Sequence, residues 1–245
     1  FYMAYYPKDN SFSGHWDFYA EQLMLYVLAA GNQNFAFPTE AYNGFTRHKT
    51  NYAGYEVINS WFGSIFTYQF SHAWIDFRNL EDQDGVNWFE NSKNATLAAH
   101  QYALDISREF NTIGNLAWGM TASDGPNGYN GLYGSSPSGY DNTAHFVDGT
   151  VAPAGALGSI VFTPEKVLPS LNYYYSLPNL LGDYGLKDSF NFENGEWYAE
   201  DVIGIDKGIT LLMIENYQTQ SVWNNFMKNE NIQNGLNKLG FKRTN

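Results

Sequence analysis

The chain contains no cysteine and only a small number of basic side chains. Its 245 residues include 13 Lys and Arg against 25 Asp and Glu, which gives a formal net charge of −12. Without cysteine, a disulfide scaffold, thiol catalysis and cysteine-ligated zinc are excluded. A surface this acidic repels phosphate backbones and anionic lipid head groups. The composition therefore argues against nucleic acid and membrane surfaces as partners, and it leaves neutral or cationic ligands.

Long hydrophobic runs are also missing. The longest, LMLYVLAA at 23–30 and ITLLMI at 209–214, fall well short of the roughly 20 apolar residues that a membrane helix needs. We therefore predict no membrane-spanning segment. The sequence starts at Phe1, with no basic stretch followed by an apolar one. An export signal is therefore expected to have been removed or to lie outside this sequence.

Signatures of several enzyme classes do not occur. The sequence has no GxxxxGK[ST] phosphate loop and no GxSxG nucleophile elbow, which disfavours nucleotide-dependent chemistry and serine hydrolysis. Its five histidines lack the paired spacing of metal ligands. The segment 81–90 (EDQDGVNWFE) concentrates oxygen ligands, but its glycine comes too early for an EF-hand loop. We predict neither a metal nor a cofactor.

What the sequence does have is an excess of aromatic and amide side chains. It contains 18 Phe, 19 Tyr and 7 Trp together with 27 Asn. Aromatic rings cover the apolar C–H face of a sugar, while amides and carboxylates bind its hydroxyl groups. The alternative is that the aromatic residues fill a helical core and the asparagines occupy surface loops. The combination favours a carbohydrate ligand without excluding that alternative.

Helical periodicity, broken by Gly, Asn and Pro, dominates the chain, and strand-like alternation is scarce. The two longest irregular segments are 111–150 and 178–204. The first is too long for an ordinary connection and is predicted to form a binding or active-site loop. The clearest helix has Asn87 as a cap, and another has Thr163 as a cap with Pro164 in its first position. Helices are predicted at 17–30, from Thr39, and at 60–70, 87–109, 152–160, 164–176, 205–216 and 219–238.

The order of these segments suggests which loops lie together. If helices alternate between an inner and an outer ring, the connections that enter the inner helices emerge at one mouth of the fold. The two long irregular segments then share that mouth. It would collect six acidic residues: Glu21, Asp124, Asp148, Asp188, Asp201 and Asp206.

Six strings in a fixed order are more specific than composition. They are WDFYAEQLMLYVLAAG (16–31), FTYQFSHAWIDFR (66–78), WGMTASDGPNGY (118–129), DGTVAPAGALGS (148–159), LKDSFN (186–191) and IDKGITLLMIENYQTQSVWNNFM (205–227). Together they resemble the glucoamylase-like (glycoamylase) domain family, which is related to family 144 of the glycoside hydrolases and to the hydrolase-like part of cyclic β-1,2-glucan synthases. The resemblance covers nearly the whole chain.

The resemblance implies an all-α (α/α)6 toroid that acts on β-1,2-linked or related glucans in a secreted or periplasmic bacterial setting. A complete toroid needs twelve helices, and about seven are predicted between Asp17 and Gln220. Residues 1–245 are therefore expected to be the C-terminal part of a single domain whose N-terminal helices are missing. The expected partners are an oligosaccharide or polysaccharide and the missing N-terminal part of the same domain.

Glycoside hydrolysis needs two carboxyl groups beside the scissile bond, one as acid and one as base or nucleophile. By resemblance, Glu21 is the candidate acid, and the aromatic residues Trp16, Phe18 and Tyr19 would raise its pKa by lowering the local dielectric. It could instead be an ordinary first-turn Glu stabilised by the helix dipole. Asp206 is the candidate second carboxylate, although an N-cap role would also explain it. Relatives commonly have Asp-Gln-Gly where this chain has Asp-Lys-Gly at 206–208, so Lys207 departs from the family pattern.

The remaining candidates are substrate contacts. Asp124 and Asp148 each precede a glycine, so each is either a subsite residue or a turn residue. Asp76 with Arg78 is predicted to be a structural ion pair or a cap. The full set of predicted substrate-binding residues is Trp16, His72, Trp74, Trp118, Asp124, Tyr129, Asp148 and Asp188.

Three functions remain open on these residues. The first is a glycoside hydrolase for β-glucan with Glu21 as its acid and no cofactor. The second is a glycan-binding toroid without turnover. The third, phosphate-dependent cleavage of the same bonds, would need a basic pocket near the mouth, for which Arg47 is the one candidate.

Overall fold

The computed structural model describes residues 1–19, 21–139 and 145–244. Residue 20, in a predicted helix, and residues 140–144, in a predicted loop, lie outside this set. Within it, helices are the main regular elements, joined by small two-stranded sheets. The α-helices are α1 (Leu23–Gly31), α2 (Phe70–Trp74), α3 (Trp88–Asp105), α4 (Pro153–Leu157), α5 (Pro164–Ser176), α6 (Gly204–Gln218), α7 (Ser221–Phe226) and α8 (Glu230–Lys238). Short 3-10 helices lie at Thr39–Gly44, Ile65–Tyr68 and Ser136–Ser138.

Six antiparallel strand pairs correct the all-α prediction for the described residues. Five are hairpins between consecutive strands: β1 (Tyr2–Tyr6) with β2 (Ser11–His15), β3 (Lys49–Tyr52) with β4 (Tyr55–Ile58), β6 (Ser123–Gly125) with β7 (Gly128–Asn130), β8 (Leu181–Gly182) with β9 (Gly185–Leu186), and β10 (Phe190–Asn191) with β11 (Trp197–Tyr198). The sixth joins β5 (Leu80–Glu81) to β12 (Lys242–Arg243). Most of these strands are too short to show an alternating pattern in the sequence.

The side chains that fill the interior form two hydrophobic clusters. The first is built around α1, α3 and α8 and includes Leu23, Trp88 and Ile232. The second is built around α4, α5 and α6 and includes Trp118 and Met213. Helix α2 lies between them, because Trp74 packs against both clusters. Many of the aromatic residues therefore fill the core, which is the alternative to sugar binding that the sequence left open.

The longest helix, α3, follows its sequence signals closely. The side chain of Asn87 accepts a hydrogen bond from the backbone N–H of Glu90, which confirms the predicted cap. Helix α3 ends at Asp105, four residues before the predicted end. Helix α5 has the predicted bounds, with Pro164 in its first position. Thr163 precedes it, but its side chain makes no capping hydrogen bond.

The helix predicted at 17–30 begins later, at Leu23. Phe18 forms a parallel bridge with Thr46, and the Gln22 side chain donates a hydrogen bond to the Phe18 carbonyl. These contacts hold the chain in a non-helical turn before α1. Glu21 therefore lies in this turn and not in the first turn of a helix, so helix-dipole stabilisation does not account for it.

The helix predicted at 60–70 is also wrong. Gly63 has φ +74°, and a Cβ atom there would lie 2.2 Å from the Ser135 carbonyl oxygen. The chain turns at this glycine and then forms the 3-10 helix Ile65–Tyr68 and α2. Similarly, the helix predicted at 219–238 is divided into α7 and α8, which Asn229 separates as the cap of α8.

Helices α1 and α8 cross at very short range. A Cβ atom at Gly31 would lie 1.8 Å from the Asn231 carbonyl oxygen, and one at Gly235 would lie 2.0 Å from the Val27 carbonyl oxygen. The two glycines therefore allow backbone-to-backbone packing that fixes α1 and the turn before it. In the described ranges we find no helix with both the length and the apolar character needed to cross a bilayer.

Candidate active site

A cavity of about 200 Å³ brings together Glu21 and Asp206, the two carboxyl groups predicted to be catalytic. Glu21 enters from the turn before α1, and Asp206 enters from the first turn of α6. The hairpin β6–β7 contributes Tyr129 to the same wall. Residues separated by 185 positions in the sequence therefore face one small volume.

Glu21 is held in place through its backbone. The Ser71 hydroxyl donates a hydrogen bond of 2.9 Å to the Glu21 carbonyl oxygen and accepts one of 2.9 Å from the Met24 backbone N–H. This hydroxyl joins α2 to the turn that carries Glu21. Burial raises the pKa of the Glu21 carboxyl from 4.5 to about 7. A carboxyl with this pKa can hold a proton near neutral pH, as a general acid must.

Asp206 is buried in the third position of α6, whose N-cap is Ile203. The alternative N-cap role for Asp206 is therefore wrong. Burial is the main cause that raises its pKa from 3.8 to about 7, and the neighbouring carboxylates of Asp188 and Glu21 raise it further. The Lys207 ammonium group acts in the opposite direction.

Asp188 connects the segments around the cavity. Its Oδ2 atom accepts a 2.8 Å hydrogen bond from the Asp124 backbone N–H in β6. Its own N–H donates to the Asp201 carbonyl oxygen at 3.1 Å. Burial raises the pKa of Asp188, and burial followed by the charge of Asp201 raises that of Asp124. The long segments 111–150 and 178–204 therefore meet at one mouth, as the alternation argument predicts.

Tyr129 is the exposed aromatic residue of this mouth. Its side chain is 62 % exposed, and it pairs with Asp124 across the β6–β7 hairpin. Burial of part of the ring raises the pKa of its hydroxyl, and the charges of Asp206, Asp188, Asp124 and Glu21 raise it further. An open ring face beside carboxyl groups can stack on a sugar.

Several predicted substrate contacts lie elsewhere. Trp118 is fully buried, and its Nε1 donates to the Ser170 hydroxyl at 2.9 Å, so it is a core residue and not a stacking platform. Asp148, like Asp124 and Asp188, is not among the residues that line the cavity. It accepts hydrogen bonds from the Tyr133 hydroxyl at 2.8 Å and from the Thr150 N–H at 2.9 Å, which is the turn role considered as its alternative.

His72 and Trp74 on α2 are likewise not surface contacts. His72 is fully buried and lies within hydrogen-bonding distance of the Tyr19 and Ser92 hydroxyls, at 3.1 and 2.9 Å. Burial lowers its pKa to about 3, so the ring is neutral. Trp74 is half-buried and packs against the half-buried Phe226, with ring centroids 5.6 Å apart, and it does not line the cavity.

The aromatic neighbours predicted around Glu21 are differently placed. Tyr19 is buried and stacks on Trp88, with ring centroids 4.6 Å apart. Phe18 packs against the exposed Trp61 at 5.6 Å. Trp16 is half-buried, and its backbone N–H donates a hydrogen bond to the Phe1 carbonyl oxygen. None of the three lines the cavity, so the burial of Glu21 is due to other residues.

Those other residues were not singled out in the sequence. Four lie in the segment before α2, two follow Met120, and two precede Asp206 at the start of α6. The lining residues without a predicted role are Phe62, Ser64, Phe66, Thr67, Thr121, Ala122, Ile203 and Ile205. Phe66, Thr67, Thr121, Ala122 and Ile205 lie within the strings at 66–78, 118–129 and 205–227, whereas Phe62, Ser64 and Ile203 lie outside all six strings.

The basic residues considered for binding or structure have partners. Arg78 forms a two-point ion pair with Asp76, with both N–O distances 2.8 Å, and this confirms that prediction. Arg47 pairs with Asp84 at 2.7 Å and with the buried Asp82 at 3.3 Å. These two ion pairs neutralise the charge of Arg47, the candidate phosphate-binding residue.

The acidic segment 81–90 is organised by hydrogen bonds of its own. Oδ1 of Asp82 accepts from the backbone N–H groups of Asp84 and Val86, and Oδ2 accepts from the Tyr42 hydroxyl. Across the part of the chain that the structure describes, no group of three or more His, Asp or Glu side chains is arranged to hold a metal ion.

Comparison with known proteins identifies similar sequences. The glycoamylase family model, described as "Putative glucoamylase", matches residues 13–230. The chain is 31 % identical over 179 residues to an exo β-1,2-glucooligosaccharide sophorohydrolase (non-reducing end) of Parabacteroides distasonis. The aligned part is 72 % of this chain and 23 % of that protein.

Solved structures have the same fold over almost the entire chain. An endo-β-1,2-glucanase from Chitinophaga pinensis, in complex with sophorotriose and glucose, has a TM-score of 0.84 and 26 % identity, and the match covers 98 % of this chain and 59 % of that one. A structure from Bacteroides uniformis, with the same description as the family, has a TM-score of 0.85 and 29 % identity over 99 % of this chain and 59 % of its own. The chain thus spans less than two thirds of the length of these relatives.

Proposed function

The chain belongs to the glycoamylase family, and from this we propose that it is part of a glycoside hydrolase that cleaves β-glucan, with β-1,2 linkages favoured. The observation that carries the proposal is that Glu21 and Asp206 face one cavity and that the pKa of each is raised to about 7. Two carboxyl groups in one cleft are the machinery that glycosidic cleavage needs. The linkage is suggested by the activities of two similar proteins.

In the proposed reaction Glu21 is the acid. Its carboxyl, protonated because it is buried, donates its proton to the glycosidic oxygen as the bond breaks. Ionised Asp206 acts on the other side as the base or nucleophile. Asp124 and Tyr129 are proposed to bind the sugar, because the hairpin carries both to the same mouth.

The two pKa values set the pH range of this reaction. Activity needs Asp206 ionised and Glu21 protonated, so it rises with pH as Asp206 loses its proton and falls as Glu21 loses its own. Since both pKa values are about 7, the rate profile is expected to be a narrow bell with its maximum near pH 7.

We further propose that residues 1–245 form the C-terminal part of one (α/α)6 domain. The relatives that match across nearly this entire chain are longer, since the chain covers 59 % of the solved structures. Further residues of the domain would then complete the cleft. We also propose a secreted or periplasmic setting, which fractionation of cells of the source organism with an antibody against this chain would test.

Two rival functions make different predictions. A glycan-binding domain without turnover would bind β-glucan and release no sugar. A phosphorolytic enzyme would release sugar phosphate only when inorganic phosphate is present, and the pairing of Arg47 with Asp82 and Asp84 counts against it.

The test is incubation with linear β-1,2-glucan at pH 7, with and without phosphate, followed by chromatography of the products. Linear β-1,3-glucan and starch serve as matched controls for linkage. The proposal predicts phosphate-independent release of β-1,2-linked oligosaccharides or glucose. Binding without release, or release that requires phosphate, would select one of the rivals.

A further inference from the structure

Asp188 is a buried carboxylate with an incomplete set of hydrogen bonds. Its side chain is 2 % exposed. Oδ2 accepts from the Asp124 N–H at 2.8 Å, but Oδ1 is buried and has no donor among the described residues. A buried acceptor of this kind usually has a partner.

The neighbour that can supply this missing donor is Asp206. The Asp188 and Asp206 carboxyl groups lie within interaction range of each other, through their charges and through a side-chain hydrogen bond when one of them is protonated. Two ionised carboxylates cannot bond to each other, because each offers only acceptors, whereas a protonated carboxyl offers one O–H donor. A proton on Asp206 can therefore supply Asp188 with a second donor.

The charged and titratable groups around this pair come from four elements. Asp124 and Tyr129 approach from the β6–β7 hairpin, and Glu21 approaches from the turn before α1. Asp201 lies in the segment before α6, and its backbone carbonyl oxygen accepts a hydrogen bond from the Asp188 N–H. Lys207, beside Asp206 on α6, supplies a positive charge that interacts with both members of the pair.

We propose that Asp188 is a positioning residue for Asp206: it accepts a hydrogen bond from protonated Asp206 and orients that carboxyl towards the cavity. Asp188 thereby also makes Asp206 a stronger base once that carboxyl is ionised. This inference rests on the proposed function, in which Asp206 is the base. Asp206 releases the shared proton to solvent before catalysis and can then take one from the attacking water.

A like charge nearby has this effect because it disfavours the ionised form of its neighbour. The result is a base whose pKa is close to the pH at which it works, where proton transfer is most efficient. Burial alone would raise the pKa of Asp206 as well, so the contribution of Asp188 has to be separated by substitution.

Asp188→Asn and Lys207→Gln make this separation, because they are expected to move the pH profile in opposite directions. The Asp188→Asn change removes the like charge and places an N–H donor beside Asp206. The acid limb of kcat/KM should then move to lower pH by on the order of one unit, while kcat at the plateau falls. The Lys207→Gln change removes the favourable charge and should move the same limb to higher pH.

Ser189→Ala is the matched control for a merely structural role. The Ser189 hydroxyl donates to the Asp124 carbonyl oxygen, so its loss loosens the same hairpin without changing any charge. The acid limb should stay where it is in the wild type. A shift in this variant as large as that of Asp188→Asn would overturn the proposal, as would an unmoved limb in Asp188→Asn.

Carbon-13 NMR of labelled aspartate carboxyl groups gives a readout that does not depend on activity. The Asp206 signal is identified by its loss in Asp206→Asn. It should titrate at lower pH in Asp188→Asn and at higher pH in Lys207→Gln, and identical titrations in all proteins would refute the inference. If Asp188→Asn does not fold, Asp188→Ser, which also removes the like charge, replaces it in both measurements. If the wild type cleaves no glucan, the proposed function fails, while this titration still tests the pair.

Discussion

Replacing Glu21 by Gln is expected to stabilise the protein at alkaline pH, although it removes the proposed acid. Burial holds a proton on Glu21 in the folded protein up to about pH 7, whereas in the unfolded chain the proton leaves at about pH 4.5. Between these values the folded state binds more protons than the unfolded state. The free energy of unfolding therefore decreases as the pH rises through this window.

The size of the effect follows from the same two pKa values. A shift from 4.5 to about 7 corresponds to an upper limit of roughly 3 kcal/mol, at about 1.4 kcal/mol per unit. Glutamine has no proton to lose, so this decrease is absent in Glu21→Gln. The variant should match the wild type below pH 4.5 and exceed its free energy of unfolding by about 1–3 kcal/mol at pH 8.

Urea unfolding of both proteins between pH 4.5 and 8 measures this difference. The exposed Glu200 offers a matched control, because Glu200→Gln leaves a solvated position solvated and should follow the wild type across the range. The reasoning would be refuted by a Glu21→Gln advantage that does not grow with pH, or by a variant that becomes less stable than the wild type at pH 8.

Three further substitutions test the structure around the cleft. Gly235→Ala should destabilise the protein by about 2 kcal/mol or more in urea unfolding, because its Cβ would lie 2.0 Å from a carbonyl oxygen of α1; Gly208→Ala, which meets nothing within 4 Å in α6, should be neutral or stabilising. Tyr129→Ala should raise KM for β-glucan roughly tenfold, since one stacking surface is lost; an unchanged KM would remove Tyr129 from substrate binding. Ser71→Ala should lower kcat about tenfold with little change in KM, because the turn that carries Glu21 loses its tie to α2; an unchanged kcat would show that this tie does not position the acid.

Local signals in the sequence were sufficient for some helices and for the meeting of the two long loops. Asn87 and Pro164 mark the starts of α3 and α5 because capping and proline geometry act within a few residues. The start of α1 was not predictable, because the bridge from Phe18 to Thr46 that prevents earlier helix formation joins distant residues. The turn at Gly63 likewise depends on contact with Ser135.

The same distinction applies to the cleft. Family-like strings and the order of the loops are enough to predict that Glu21 and Asp206 lie at one mouth of the fold. Trp118 could not be separated from Tyr129 by residue type, since both are aromatic and lie in the same string. One is fully buried and the other is 62 % exposed, and this difference arises only from the packing of α5 and the β6–β7 hairpin. Partners distant in the sequence therefore decide which aromatic residue can meet a sugar.

The proposed reaction is hydrolysis of β-glucan with Glu21 as the acid. Its most direct test is the initial rate of reducing-sugar release from linear β-1,2-glucan at pH 7 by the wild type and by Glu21→Gln, with folding of both verified by circular dichroism. We expect sugar release by the wild type and a rate of release at least about 100-fold lower for Glu21→Gln. Equal rates for the two proteins, or a folded wild type that releases no sugar, would contradict it.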